Sequence, residues 1–359
     1  MATDPRLEMI RSASGGAAVW LVGGSVRDLL CGRRPSDLDL VIEGDPGPVA
    51  ERLDPDPVLH DEFMTATASL GDESVDLARA RAERYREPGA LPEVEPASIE
   101  QDLARRDFTI NAMAVPLGAP DQILDPFGGL EALLERRLSL IHEGSFGDDP
   151  TRALRGARYA ARFGFEPDPA MVEALRTVDL GTVSNDRLMA EVRRFGDEDD
   201  PAGALATASD WGLLDLPKSL LVMVGRAIEL AEEGPWRGLT NSSDLIETAV
   251  EARDQVEAFP VEPPTSRIEQ RDLITRTVPE VLVLARAGGR EWLDWWPEVG
   301  GEIGLAIDGD DLIEAGVEPG PAVGVGLRAA LADALEESGT DRDRQMEIAL
   351  EATAGDGDG

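Results

Sequence analysis

Two aspartates one residue apart follow a glycine pair in residues 22–39, Val-Gly-Gly-Ser-Val-Arg-Asp-Leu-Leu-Cys-Gly-Arg-Arg-Pro-Ser-Asp-Leu-Asp. Alternate residues of a β-strand project from the same face, so Asp37 and Asp39 would present two carboxylates side by side. Adjacent carboxylates repel each other unless a cation lies between them, and their hard oxygen atoms suit Mg²⁺. Gly23 and Gly24 let backbone N–H groups approach an anion, and the helix predicted after them favours a phosphate at its start. A phosphate site beside a metal-binding aspartate pair predicts nucleotidyl transfer.

Length and composition exclude several classes of protein. With 359 residues the chain has room for two or three domains with sizeable cores. Its single cysteine, Cys31, excludes a disulfide framework and a multi-thiolate zinc site. The sequence has no run of about 18 apolar residues. Its first residues lack a basic region followed by an apolar one, so we expect a soluble, cytoplasmic protein.

The net charge of −37 is unusual for a protein expected to handle nucleotides. The chain has 71 acidic and 34 basic residues, and Lys218 is its one lysine. A high acid content with almost no lysine is typical of a salt-adapted surface, although arginine in place of lysine can also reflect genome base composition. An acidic surface keeps a protein soluble and does not exclude RNA binding at a local basic patch.

The order of predicted elements indicates an α+β head followed by a long helical region. Apolar strands are predicted at 17–22 and 37–43 with a helix at 25–31 between them, and a hairpin is predicted over 64–78 around Gly71-Asp72. Residues 85–98 hold four prolines or glycines and several acids, which predicts a loop. From about residue 150 onward the pattern is helical. We therefore expect four regions: a catalytic head (1–145), a helical neck (146–215), a helical body (216–350) and a disordered acidic tail (351–359).

Residues 105–112, Arg-Arg-Asp-Phe-Thr-Ile-Asn-Ala, form a second candidate segment. Arginines there can hold phosphate oxygens with two hydrogen bonds each. Asp107 and Asn111 can fix a loop and a sugar by hydrogen bonds, whereas Phe108 and Ile110 are expected in the core.

Asp149 and Arg152 form a third candidate pair in the segment Asp-Asp-Pro-Thr-Arg. Asp149 as the N-cap, with Pro150 at the first helical position, would be favourable capping chemistry. The two residues are three apart and share one face of the first helical turn. A carboxylate that accepts and a guanidinium that donates can also read the Watson–Crick edge of a base without a template. Capping and base reading are compatible, because different atoms can serve each.

These segments together resemble the signatures of the class II tRNA nucleotidyltransferase (CCA-adding) and bacterial poly(A) polymerase family. The resemblance implies a nucleotidyltransferase head of the polymerase-β type, with a mixed sheet, followed by an all-helical neck and body. It also implies a third acidic group near the metals, Asp76, although a strand-end aspartate satisfied by backbone N–H groups explains that residue equally well. Asp148 stands where the family usually has glutamate.

The resemblance assigns a role to each candidate residue. The implied catalytic residues are Asp37, Asp39 and Asp76, of which Asp37 and Asp39 bind Mg²⁺. The implied nucleotide-binding residues are Gly23, Gly24, Arg27, Arg106, Asp107, Asn111, Asp149, Arg152, Arg155 and Arg158. The implied partners are the tRNA 3′ end, CTP and ATP, with no membrane.

Three alternative functions follow from the same residues. A poly(A) polymerase has the same head, but its C-terminal region is usually basic, whereas residues 196–359 carry 36 acidic against 12 basic side chains. A non-catalytic RNA-binding relative is disfavoured by the intact aspartate pair. A fused phosphohydrolase of the His-Asp type needs several histidines, and only His60 and His142 exist. The family's CC-only enzymes lack a loop such as 79–98, yet the sequence alone does not separate full CCA addition from addition of the terminal A.

Overall fold

A computed structural model describes residues 4–35, 37–60, 64–70, 73–86, 90, 92–297, 301–337 and 341–354. The strands, in chain order, are β1 (Val19–Val22), β2 (Asp39–Ile42), β3 (Val58–His60), β4 (Thr65–Leu70), β5 (Glu73–Arg79), β6 (Arg81–Arg84), β7 (Glu93–Pro96), β8 (Ala114–Pro116), β9 (Arg137–Leu138) and β10 (Glu166–Pro167). The helices are α1 (Pro5–Ala13), α2 (Gly23–Leu30), α3 (Gly47–Leu53), α4 (Ile99–Ala104), α5 (Gly129–Leu134), α6 (Ser145–Asp148), α7 (Thr151–Phe163), α8 (Pro169–Leu175), α9 (Asn185–Arg193), α10 (Pro201–Asp210), α11 (Lys218–Glu232), α12 (Ser242–Glu251), α13 (Arg253–Ala258), α14 (Arg267–Arg276), α15 (Pro279–Ala287), α16 (Gly309–Glu314), α17 (Pro321–Glu337) and α18 (Arg342–Ala354).

The chain forms two compact units. The first comprises residues 1–191 and 198–215 and contains the sheet; the second comprises residues 192–197 and 216–359 and, where described, is helical. In the second unit Trp295 packs against the apolar cluster of Ile268, Ile303 and Leu335, as expected for a core residue. The finer division into head, neck, body and tail stays a prediction.

A six-stranded mixed sheet organises the first unit, in the order β3-β4-β5-β2-β1-β8. Strands β2 and β5 are parallel, and all other neighbouring pairs in this sheet are antiparallel. Leu40, Ile42 and Leu77 enter an apolar cluster on one face, while Val41 enters a second cluster with Val22. The alternation of side chains along β2 therefore buries both faces beyond Asp39. The predicted α+β head with a mixed sheet, followed by helices, is confirmed.

The turn from β1 into α2 brings a glycine next to the sheet edge. The apolar run of β1 stops at Gly23, whose φ of +63° lies in the left-handed region. The Gly23 amide donates to the carbonyl of Met113 at 3.2 Å, just before β8. Helix α2 thus starts directly after β1, two residues before the start that the sequence predicts.

Helix α7 packs closely on the core of the first unit. A Cβ atom at Gly156 would lie 3.0 Å from both Met171 Cε and Phe108 Cζ. Phe108 and Tyr159 meet edge-to-face with ring centroids 5.8 Å apart. Phe108, in the segment after α4, and α7, which contains Arg152, thus pack against each other.

Three expectations about local structure need comment. The predicted 85–98 loop is wrong over residues 93–96, because β7 pairs with β6 in an antiparallel ribbon that satisfies its backbone hydrogen bonds. The predicted turn at 71–72 lies outside the described residues. Of the predicted tail, residues up to Ala354 are helical and 355–359 are not described. Among the residues that are described, no helix is long and apolar enough to cross a membrane.

Candidate active site

Three carboxylates line a cavity of about 680 Å³ in the first unit. Asp39 at the start of β2 is in register with Asp76 on the parallel strand β5, and both line the cavity together with Asp37. One oxygen of Asp76 accepts the Thr67 hydroxyl at 2.6 Å. The aspartate pair, predicted from its spacing, and Asp76, implied by the resemblance, thus line one cavity, although Asp37 lies just before β2 and not on it.

The hydroxyl of Ser25 fixes the backbone between the two aspartates. It donates to the carbonyl of Asp37 at 3.0 Å and accepts the amide hydrogen of Asp39 at 2.8 Å. Ser25 is 1% exposed, so water cannot replace these bonds easily. The first turn of α2 therefore holds the aspartate pair in position.

The electrostatics of Asp39 suit a cation. Burial raises the pKa of its carboxyl, the guanidinium groups of Arg106 and Arg27 lower it, and the neighbouring charge of Asp37 raises it. Within the described part of the chain, no group of three or more His, Cys, Asp or Glu side chains is arranged to hold a metal. A site of two carboxylates still fits Mg²⁺, which is commonly bound by one or two carboxylates with substrate phosphates completing its shell.

The glycine pair in the first turn of α2 leaves space for side chains that pack closely against it. A Cβ atom at Gly23 would lie 2.4 Å from Nη1 of Arg106, and one at Gly24 would lie 3.3 Å from Nη2 of Arg27 and 3.4 Å from Oδ2 of Asp39. Any larger residue would displace a guanidinium group from the neighbourhood of Asp39. The glycines thus bring positive and negative groups to the start of one helix.

A chain of hydrogen bonds links α2 to α7 along the cavity wall. Arg27 donates to the Asn111 side-chain oxygen at 2.6 Å, Asn111 donates to Asp107 at 2.9 Å, and Arg155 donates to the other Asp107 oxygen at 2.8 Å. All four residues line the cavity. The predicted role of Asp107 and Asn111 in fixing the site by hydrogen bonds agrees with these contacts.

The Asp107 carboxylate is ionised throughout the useful pH range. Burial by itself would raise its pKa, but the Arg155 guanidinium, together with hydrogen bonds from Asn111 and the Phe108 amide, lowers the pKa to about 2. Asp107 thus remains a charged acceptor that holds Arg155 in place.

Asp102 supports the two arginines of the second motif. Its carboxylate is fully buried and accepts from Arg106 at 3.0 Å and from Arg105 at 2.8 Å. These residues are three and four positions apart on α4 and just beyond it, the spacing that brings side chains together on a helix. Asp102 was not among the predicted site residues, although its spacing from Arg105 and Arg106 signalled it.

Asp149 and Arg152 both line the cavity. Helix α7 begins at Thr151 with Pro150 in the N-cap position, so the expected N-cap is wrong by one residue. Asp149 nevertheless accepts the Thr151 amide at 3.1 Å and the Thr151 hydroxyl at 2.7 Å, and pairs with Arg187 at 3.2 Å. Capping and a place at the cavity wall are therefore combined in one side chain.

Arg152 is held by neutral groups. It donates to the Ser145 hydroxyl and to the Arg105 carbonyl, each at 2.8 Å, and its guanidinium lies 5.9 Å from the centre of the Tyr85 ring. Every other arginine of the cavity wall pairs with a carboxylate among the described residues, as Arg27, Arg105, Arg106, Arg155 and Arg162 do. Arg152 has no such pair there, so its charge is available to a ligand.

Tyr85 connects the β6–β7 ribbon to Arg152. Its phenol donates to Glu83 at 2.7 Å, and Arg152 donates to the phenol oxygen at 3.4 Å. Burial raises the pKa of Tyr85, so the phenol keeps its proton. Tyr85, which directly follows β6 and belongs to the predicted loop, therefore contributes a side chain to the cavity.

Arg158 differs from the other predicted nucleotide-binding residues. Its guanidinium is buried and pairs with Glu198 at 2.9 Å and with Glu191 at 3.3 Å, and it is absent from the cavity wall. Glu198 also binds Arg162 at 2.6 Å, one turn along α7. Arg162 does line the cavity. In this structure Arg158 braces α7 against α9, and its predicted contact with nucleotide stays a prediction.

The mixed sheet, the aspartate pair at its edge and the arginine-lined cavity define the head of a nucleotidyltransferase. Residues 19–139 match the family model of the poly(A) polymerase head domain. The CC-adding tRNA nucleotidyltransferase of Deinococcus radiodurans is 34% identical over 358 residues, which cover 97% of this chain and 92% of that protein. The chain belongs to the family of tRNA nucleotidyltransferases and poly(A) polymerases that share this head.

Two further comparisons agree with this assignment. The A-adding tRNA nucleotidyltransferase of Halalkalibacterium halodurans is 38% identical over 232 residues, which span 58% of this chain and 53% of that protein. A solved apo structure of a CCA-adding enzyme superposes with a TM-score of 0.77 at 26% identity, covering 97% of this chain and 96% of that one. The similarity therefore extends beyond the head to nearly the whole chain.

Proposed function

We propose that this enzyme adds nucleotides to the 3′ end of tRNA from CTP and ATP, with Mg²⁺, and completes the CCA terminus in the cytoplasm. The proposal is carried by one observation: a carboxylate pair fit for a metal and an arginine without a carboxylate partner among the described residues line the same cavity. The names of its relatives, CC-adding and A-adding tRNA nucleotidyltransferases, support the choice of tRNA and of these two nucleotides.

The reaction joins the tRNA 3′-oxygen to the α-phosphorus of the nucleotide, and the bond from that phosphorus to pyrophosphate breaks. Asp37 and Asp39 would hold Mg²⁺, which supplies activation of the hydroxyl and neutralisation of the leaving pyrophosphate. Ser25 keeps the two carboxylates in fixed positions. Arg106 and Arg27, oriented by Asp102 and Asn111, are placed to bind the phosphates.

Base choice is assigned to Asp149 and Arg152. The carboxylate accepts and the guanidinium donates, so the pair can complement the edge of a cytosine or an adenine. Arg152 is anchored by neutral acceptors, and its charge is not cancelled before the base arrives. Selection by protein side chains explains how the reaction proceeds without a template.

Addition of the terminal A is favoured by the β6–β7 ribbon. CC-only enzymes of the family lack a loop in this place, whereas this chain has a ribbon whose Tyr85 contacts Arg152. A segment that touches the base-selecting arginine is in a position to influence which base it accepts. We therefore infer that the enzyme adds both C residues and the A.

The proposal is tested with four tRNA substrates that lack zero, one, two or three terminal residues. Each is incubated with CTP, ATP, UTP or GTP and Mg²⁺, and the products are sized. We expect two C additions and one A addition, then termination. Three results would contradict the proposed function. Arrest after two C residues would indicate CC addition alone, activity on only the substrate that lacks the A would indicate A addition alone, and a long A tail would indicate a poly(A) polymerase.

A deletion of residues 86–96 tests the role of the ribbon in the same assay. We expect C addition to continue and A addition to be lost. Undiminished addition of the terminal A would show that the ribbon has no role in it, and the proposed transferase activity itself would stand.

A further inference from the structure

The guanidinium groups of three arginines lie around the ring of Phe163, at the end of α7. Arg27 lies 4.8 Å, Arg33 lies 5.3 Å and Arg162 lies 5.9 Å from its centre. Like charges repel, so guanidinium groups gathered around one ring need anions beside them.

The three arginines differ in how their charge is balanced. Arg27 pairs with Asp28 and Arg162 pairs with Glu198. Arg33 is exposed and has no carboxylate partner among the residues that the structure describes, and its guanidinium lies over the Phe163 ring. An aromatic ring holds a guanidinium in position without neutralising it, whereas a carboxylate would do both. Arg33 is thus a positioned cation with its charge intact.

Its neighbour in the chain shows the opposite arrangement. Arg34 is equally a surface arginine, but it pairs with Glu73 at 3.5 Å. The two side chains are adjacent in sequence and differ in their partners. Arg34 is therefore a matched control for the loss of one surface charge.

Arg33 lies near the cavity but does not line it. Arg27 and Arg162, which share its ring, line the cavity, and so do Pro35 and Asp37 that follow it in the chain. Arg33 itself is not part of the cavity wall. A nucleotide bound at the aspartate pair would fill the cavity, whereas an RNA strand whose 3′ end reaches that pair must continue past its edge.

We propose that Arg33, supported by Phe163, binds a backbone phosphate of the RNA strand whose 3′ end enters the cavity. The inference rests on the proposed function, since it needs RNA as the substrate. Guanidinium groups bind phosphate through paired hydrogen bonds and contact the backbone irrespective of sequence. The contact is one phosphate outside the nucleotide site, so it assists RNA binding and leaves nucleotide binding unchanged.

Arg33→Ala and Arg34→Ala are compared for tRNA binding over a series of salt concentrations. For Arg33→Ala we expect binding about 5-fold weaker at about 0.1 M salt and a slope of log affinity against log salt smaller by about one, as for the loss of one phosphate contact. Arg34→Ala should stay within about 2-fold of the unchanged protein, because its charge is already paired with Glu73. The KM for CTP should be the same in both variants.

Phe163→Leu tests the support of Arg33 by the ring. It should weaken tRNA binding partially, and the double variant with Arg33→Ala should bind tRNA no more weakly than Arg33→Ala alone, because the ring acts on RNA through the Arg33 guanidinium. An effect of Phe163→Leu through Arg27 and Arg162, which share the ring and line the cavity, is measured separately as its KM for CTP. Equal effects of the two variants at Arg33 and Arg34 would overturn the proposal. A raised KM for CTP with unchanged tRNA binding would also overturn it, by assigning Arg33 to the nucleotide triphosphate.

Nucleotide incorporation by the unchanged protein is measured in parallel. Absence of incorporation counts against the proposed function. Intact incorporation with identical tRNA binding by the two alanine variants counts against the Arg33 contact alone.

Discussion

The hydroxyl of Ser25 accepts the backbone amide hydrogen of Asp39 at 2.8 Å, and through this bond the first turn of α2 sets the position of a candidate metal ligand. The same hydroxyl donates to the carbonyl of Asp37. One serine therefore joins the glycine turn to the aspartate pair. The relation explains why the two sequence segments, separated by twelve residues, act as one site.

Ser25→Ala is expected to lower the incorporation rate about 10-fold or more, because displacement of a reacting group by a fraction of an ångström has a large effect on rate. Affinity for tRNA should be unchanged. Steady-state rates and tRNA binding give the two quantities. Ser12→Ala, which removes an exposed hydroxyl bonded to the Glu8 carbonyl, is the control. A rate equal to that of the control would show that the aspartates do not need this support.

Arg152→Ala is expected to change the ratio of CTP, ATP and UTP use by about 10-fold, since hydrogen bonds from a charged group to a base are lost. Its melting temperature should fall less than that of Arg155→Ala, because the Ser145 hydroxyl and the Arg105 carbonyl lose a donor but no carboxylate among the described residues loses its partner. Arg155→Ala provides the contrast: it leaves Asp107 buried and unpaired, at a cost of about 3 kcal/mol in stability. An Arg152→Ala protein that melts early and keeps the original nucleotide ratio would show that packing and local hydrogen bonds are the whole role of Arg152.

The Asp107–Arg155 pair predicts how stability depends on pH. The pKa of Asp107 is about 2 in the folded protein against 3.8 for the unperturbed group. The ionised carboxylate therefore contributes about 2 kcal/mol above pH 4, and this contribution is lost as the pH falls from about 4 to about 2. Asp107→Asn should be less stable at pH 7 and should lose less stability over that interval. Denaturant unfolding at several pH values measures both, and parallel curves for the two proteins would contradict the assignment.

The net charge predicts a requirement for salt. Self-repulsion of a chain with charge −37 destabilises the folded state and opposes the approach of tRNA. At about 1 M salt the Debye length is about 3 Å, so both repulsions are largely screened. Phosphate contacts weaken with salt, so the two effects compete in activity. We expect the melting temperature to rise with KCl up to about 3 M and activity to peak well above about 0.15 M. Maximal stability and activity at the lowest salt would contradict this expectation.

The sequence predicts the parts of the site that depend on local patterns. The two-residue spacing and the glycine stop predict Asp37, Asp39 and a helix after the glycines; in the structure β2 begins at Asp39, so Asp37 lies just before the strand, and α2 begins at Gly23. Ser25 was missed because its role depends on a contact across twelve residues, which no local pattern shows. The partner of Arg158, Glu198, is forty residues away, so burial of that arginine was not predictable from its helix alone. The β7 strand was missed because prolines and acids are typical of loops, while pairing with β6 overrides that preference.

The most direct test of the account is the rate of CTP incorporation by Asp39→Ala on a tRNA that lacks its three terminal residues, with tRNA binding measured on the same preparation. Loss of a metal ligand should lower the rate about 1,000-fold or more while affinity for tRNA stays within about 2-fold, because the metal acts in the reaction and not in docking. Asp121→Ala, at an exposed position that is not part of the cavity wall, should retain the full rate. A rate for Asp39→Ala close to that of Asp121→Ala would contradict the assignment of the aspartate pair as the catalytic metal site.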